Sequence, residues 1–118
     1  VVRREDGVLE GVEAVIDKDL GAALLARSIT VDTLVIATDV DHAVTGYGTP
    51  SASPIGEISA DALAELEAAG EFGTGSMGPK VTAAVRFVRG GGRLAVITSL
   101  DRITDAVTGR YGTVVRAE

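Results

Sequence analysis

Apolar residues recur along this chain in two rhythms. Thr33-Leu34-Val35-Ile36-Ala37-Thr38 and Leu94-Ala95-Val96-Ile97-Thr98 are short, continuous apolar runs, which predicts strands buried on both faces. Outside these runs the spacing changes to three and four. Leu20, Ala23 and Leu24 predict one helical face, opened by Asp17 as its cap. Ser59 predicts the cap of a second helix running to about Ala69 and ended by Gly70. Val81, Ala84, Val85 and Val88 predict a third, opened by Pro79 and ended by Gly90-Gly91-Gly92. Ile103, Ala106 and Val107 predict a fourth behind Ser99. At the start, Val1 to Arg4 and Val8 to Ile16 flank Glu5-Asp6-Gly7, a hairpin signal, and Tyr111 to Arg116 predicts a closing strand. A Gly/Ser/Thr/Pro-rich loop runs from Thr45 to Pro54. Strands alternating with helices of about three turns predict an α/β domain with a mainly parallel sheet.

Composition narrows what such a domain can do. The 118 residues fit one domain or a piece of a larger one. Aromatics make up only 3%, so the core must come from Val, Leu, Ile and Ala. The net charge of −6, from 11 basic and 17 acidic residues, argues against nucleic-acid binding. No run approaches the roughly 18 apolar residues of a membrane span. The absence of cysteine excludes disulfides and thiolate metal sites, and one histidine cannot build a histidine cluster. The chain begins Val1-Val2-Arg3-Arg4, without an initiator Met or a signal-peptide pattern, which suggests a fragment.

Three places could carry chemistry. The segment Gly73-Thr74-Gly75-Ser76-Met77-Gly78-Pro79-Lys80 spells G-x-G-x-x-G. It follows a helix rather than a strand, so it does not read as a dinucleotide loop, and Pro79 before Lys80 rules out a Walker loop. What remains is a helix start with close-approach glycines, free N–H groups and a lysine. A cation there opposes the helix dipole by roughly 0.3–1 kcal/mol, which a bound anion would offset. The same segment could equally be a loop between helices followed by a surface lysine. Asp17-Lys18-Asp19 is the second place. Lys18 could neutralise a transferring phosphoryl group while Asp19 orients Lys18 and Lys80, or the aspartates could simply cap the helix. The third is Thr38-Asp39-Val40-Asp41 at a strand's carboxyl end, where α/β sheets bind ligands, with Thr98 and Ser99 at another such end; equally, the aspartates could simply end the strand and open the loop. His42 reads as a loop residue, and Tyr47 as lying against a base or packing the loop.

Taken in order, Glu13-Ala14-Val15-Ile16-Asp17-Lys18-Asp19, Thr38-Asp39-Val40-Asp41 and Gly75-Ser76-Met77-Gly78-Pro79-Lys80 resemble the carbamate kinases of the amino-acid kinase superfamily. Ala83-Ala84-Val85-Arg86-Phe87-Val88 and Ala95-Val96-Ile97-Thr98-Ser99-Leu100 continue the resemblance over nearly the whole chain. It implies a three-layer αβα sandwich and the reversible reaction of ATP and carbamate to give ADP and carbamoyl phosphate with Mg²⁺. It also implies a cytoplasmic homodimer in arginine breakdown, with no nucleic-acid or membrane partner. By motif, Lys18 and Lys80 would contact the phosphoryl groups and Asp19 would hold them. Thr38, Asp39, Val40, Met77 and Gly78 would line the nucleotide site; a tyrosine that helps form the family's base pocket is absent here, and Tyr47 could take part of its role. Family members usually carry a Gly-Val-Tyr run where this chain has His42-Ala43-Val44. The resemblance makes residues 1–118 the C-terminal nucleotide-binding portion, with the substrate half absent and turnover by the chain alone not expected. A related kinase for another carbamate or carboxylate, or a nonenzymatic half that needs a partner, are the competing functions.

Overall fold

The computed structural model describes residues 1–73 and 75–118; Thr74 of the glycine segment lies outside the described residues. The chain opens with a hairpin of β1 (Val2–Glu5) and β2 (Val8–Gly11). Asp6 and Gly7 between them take φ of 49° and 83°, as a two-residue turn with the right twist requires. The second strand is shorter than expected. Its ladder ends where the Val12 N–H meets the Val1 carbonyl at 3.0 Å, and among the described residues no strand pairs with Val15 or Ile16 to extend it.

Helix α1 (Lys18–Ser28) starts at Asp17, whose Oδ1 accepts from the N–H groups of Asp19 (2.8 Å) and Leu20 (3.0 Å). Its buried face is Asp19, Ala23 and Ala26; Leu24, expected inward, is exposed. Alanines on the packed side let α1 lie close to α3 (Met77–Arg89), and the larger leucines are left outside. Helix α3 begins two residues before Pro79. Proline lacks an N–H, and the first turn has no use for one, so it is accommodated at the third helical position as well as the first. Val81, Ala84, Val85 and Val88 face inward as expected. Helix α2 (Ala60–Ala68) is capped by the Ser59 hydroxyl, which accepts from the Ala62 N–H at 3.1 Å, and Gly70 follows it at φ 84°.

Four strands form the central sheet: β3 (Thr33–Thr38), β6 (Glu57–Ser59), β7 (Leu94–Ser99) and β8 (Thr113–Arg116), in spatial order β3-β7-β8-β6. The β3–β7 and β6–β8 pairs are parallel, and β7–β8 is antiparallel. Ala95, Ile97 and Val115 pack into one core with the helices α1, α2 and α3. Leu94, Val96 and Val114 pack on the opposite face with Ala106 of α4 (Ile103–Val107). The result is the expected three-layer sandwich with a mainly parallel sheet. β7 is central and buried along its length, except at Ser99. β3 is only half-buried, contrary to expectation, because it has one neighbour strand and a short helix on its far side. A 3₁₀ turn (Leu100–Arg102) precedes α4, the Ser99 side chain makes no cap bond, and Ile103 and Val107 are exposed. The polar loop holds a small antiparallel pair, β4 (Val44–Thr45) and β5 (Ser53–Pro54).

Candidate functional site

Two helix starts converge on one carboxylate. Asp19, in the first turn of α1, accepts from Lys80 Nζ at 3.1 Å and from Lys18 Nζ at 3.3 Å through the same Oδ2. Lys80 sits one turn into α3, and its ammonium reaches back to the Ser76 carbonyl at 3.1 Å. The Lys80 side chain is 7% exposed and that of Asp19 10%, whereas Lys18 is 78% exposed. The Lys80 ammonium is therefore held within the fold, while the Lys18 ammonium, tied to the same carboxylate, stands largely in solvent. The Ser76 cap position makes no side-chain bond to the start of α3, so the dipole's positive end and the lysine reinforce one another toward an anion. Asp17 stands beside this pair of lysines. The Leu20 N–H holds its carboxyl below the ordinary aspartate range, and the Asp19 N–H and the charges of Lys18 and Lys80 add to that.

Next to this cluster lies a cleft of about 560 Å³. One wall is the loop after β3, with Asp39, Val40, His42, Val44 and Tyr47; the other, between α2 and α3, is made by residues 70–73 and 75–77. The walls are tied together by the Gly46 N–H, which donates to Glu71 Oε2 at 2.8 Å. Ser76 belongs to the cleft lining and also accepts from Lys80, so the cleft and the lysine cluster are continuous. Of the glycines in the segment, Gly73 is the one whose backbone requires the residue type, at φ 54°. A side chain at Gly78 would meet the Gly73 carbonyl at an ordinary 3.6 Å.

The structure thus brings Lys18, Asp19 and Lys80 together, and gathers Asp39, Val40, Tyr47 and Met77 in the adjoining cleft. Thr38 and Gly78 lie outside the cleft lining. The Thr38 hydroxyl donates to Asp39 at 3.1 Å, and the Gly78 carbonyl accepts from the Thr82 hydroxyl. Sequence reasoning passed over Glu71 and Phe72, which sit in a turn without a motif, and set His42 aside. It also missed what holds the loop. Thr113, buried on β8, accepts from the Ala43 N–H at 2.9 Å and donates to the Ile55 carbonyl at 2.6 Å. Tyr111 donates to Asp41 Oδ2 at 2.9 Å. Hydrogen bonds from the Ser99 side chain and then Tyr111 hold the Asp41 carboxyl below its ordinary range. The Ala43–Thr113 and Asp41–Tyr111 pairs are each 70 positions apart, beyond the reach of any local signal. No group of three or more Asp, Glu or His residues is placed to hold a metal ion among the described residues, and none of their helices is long and apolar enough to cross a membrane.

Residues 2–99 match the family model of the amino acid kinase family. A carbamate kinase of Thermococcus kodakarensis is 49% identical over 117 residues, covering 99% of this chain and 37% of that protein. One from Halobacterium salinarum is 46% identical over 112 residues, covering 94% of this chain and 36% of that protein. The solved structure of carbamate kinase from Giardia lamblia bound to AMP-PNP superposes with a TM-score of 0.94 at 43% identity, over 99% of this chain and 41% of that one. The chain spans about 37% of the length of the curated relatives it matches. On the match over residues 2–99, with the fold and the lysine cluster in agreement, this chain belongs to the amino acid kinase family.

Proposed function

We propose that this chain supplies the nucleotide-binding portion of a carbamate-kinase-like phosphotransferase, which interconverts ATP and carbamate with ADP and carbamoyl phosphate. The observation that carries this reading is the convergence of Lys80 and Lys18 on Asp19 beside a cleft of nucleotide size. In the transfer, the bond from the γ-phosphorus to the ADP oxygen breaks and one to a carbamate oxygen forms. Lys80 and Lys18 neutralise the charge on the oxygens of the moving group. Asp19 acts through the lysines, fixing where their ammonium groups stand. Asp39, Val40, Tyr47 and Met77 form the nucleotide side of the site, Thr38 acts through its hydrogen bond to Asp39, and Gly78 belongs to the first turn of α3 beside Met77.

When bound with the nucleotide, a magnesium ion would supply further charge neutralisation at the phosphates. Such an ion keeps several waters and needs only one or two carboxylates, which fits a site without a carboxylate cage. Of the two carboxylates in the cleft lining, Glu71 is engaged with Gly46, and Asp39 is the one that would hold the ion's hydration shell. A cytoplasmic homodimer is the assembly this reading carries for the whole protein.

A coupled assay of ATP formation from ADP and carbamoyl phosphate tests the activity in the full-length protein. Lys80→Ala should lower the rate by about 100-fold or more if Lys80 stabilises the transition state. A rate near wild type would remove Lys80 from the chemistry. Because the chain spans about 37% of its curated relatives, the 118 residues in isolation are expected to bind nucleotide without turnover. ATP formed by them alone would overturn that division of labour.

A further inference from the structure

His42 lies on the wall of the cleft, and its place there is held from three directions. On one side, the Tyr111 hydroxyl donates to Asp41 at 2.9 Å. On the other, Ala43 is fixed at both backbone groups. Its N–H donates to the buried Thr113 hydroxyl at 2.9 Å, and its carbonyl accepts from the Ile55 N–H at 2.8 Å. Against the imidazole stands the Tyr111 ring, 5.1 Å away between centroids and tilted by 56°. The Arg102 guanidinium, 4.1 Å from the centre of that ring, holds the tyrosine in turn. A flat ring that lines a cleft and is already fixed in orientation loses little freedom when a second flat ring comes against it.

We propose that His42, backed by Tyr111, is a nucleobase-stacking residue of the cleft. The proposal rests on the reading of that cleft as a nucleotide site and adds the group that receives the base. Lys80 reaches the cleft through Ser76, at the start of α3, while His42 stands on the loop after β3. Phosphate and base are therefore handled by different walls, and their contributions are separable. Among the described residues, Tyr47, 83% exposed on the same loop, has no aromatic ring against it, whereas His42 has Tyr111.

Equilibrium titration of the purified full-length protein with ADP, and separately with inorganic pyrophosphate, separates the two. His42→Ala should weaken ADP roughly 5- to 100-fold, the range found when an aromatic stacking partner is removed, and leave pyrophosphate unchanged. His42→Phe keeps a flat ring and should retain most of the ADP affinity. Tyr111→Phe keeps the backing ring but frees Asp41, and should weaken ADP by less than His42→Ala does. Lys80→Ala should weaken both ligands. A wild-type protein that binds neither ligand would sink the nucleotide reading itself. If wild type binds ADP and His42→Ala binds it equally well, the stacking role is wrong while the nucleotide reading stands. A His42→Phe variant as weak as His42→Ala would likewise overturn stacking.

Discussion

Asp19 holds two ammonium groups of very different surroundings, and that difference sets what each contact contributes. The Lys80 head is almost entirely removed from water, so its charge depends on Asp19 and the Ser76 carbonyl for compensation. Removing one partner of a buried pair costs about 3–5 kcal/mol, because the remaining charge is left without its counter-ion. Asp19→Ala is expected to lower unfolding free energy by about that much in a denaturant titration. Lys18 is mostly exposed, and an exposed pair contributes only about 0–1 kcal/mol, so Lys18→Ala should barely move the same curve. Joint replacement by apolar residues, Asp19→Leu with Lys80→Met, should recover most of the loss, since the desolvation of both charges disappears with them. A small effect of Asp19→Ala would mean that Lys80 has found another partner. The residue types and their order showed that Asp19 could serve both lysines. They did not show that Lys80 is buried, because burial follows from α1 lying across the start of α3, which no local pattern encodes.

Two helix starts were legible, since a cap is a local interaction between a side chain and the next few N–H groups: Asp17 and Ser59 stand where the pattern put them, whereas Ser99 does not cap α4 and α3 begins two residues before Pro79. The Asp17 cap carries a charge, which gives it a pH signature. Its carboxyl titrates below the ordinary range in the folded chain, chiefly because the Leu20 N–H donates to it. A group whose folded pKa is depressed contributes stability that is fully present above its unfolded pKa, and that is lost as pH falls through the folded one. Asn caps a helix about as well as Asp but does not titrate. Asp17→Asn should therefore fold normally near neutrality and lose less stability than wild type as pH falls below about 4, measured as unfolding midpoints across that range. Parallel acid profiles would show that Asp17 gains nothing from its charge. Helix faces were less legible than starts. Leu20, Ala23, Leu24, Leu25 and Ala26 place apolar residues nearly all round α1, so the pattern could not choose the side that packs. Strand pairing was not legible. That β8 returns antiparallel beside β7 depends on Gly112, where a side chain would stand 2.5 Å from the Ile97 carbonyl. A glycine at that position in a sequence says nothing about which strand it will meet.

At the scale of the whole molecule, the alternation of strands and helices was enough to give the layered α/β class, while its surface was not foreseeable. The Cα radius of gyration is 15.4 Å, against about 13.5 Å for a compact domain of this length. The β1–β2 hairpin accounts for part of the difference, since every residue of both strands is exposed. Val15, Ile16, Leu24, Leu25 and Ile29 are also exposed, and Ile16 and Leu24 line one groove of about 240 Å³ along α1. Water meets apolar surface there at a free-energy cost of roughly 25 cal/mol per Å² relative to burial. The net charge of −6 opposes association but does not cover that surface. The 118 residues in isolation are thus expected to bind an environment-sensitive apolar dye in the folded state, and to sediment with a concentration-dependent apparent mass. Ile16→Lys with Leu24→Glu should reduce both signals while leaving the far-ultraviolet circular dichroism and the nucleotide titration unchanged, because neither residue belongs to the nucleotide cleft. Wild-type chain that stays monomeric and dye-free at high concentration would show that this surface is covered in solution by a rearrangement of the hairpin or of the segment before α1.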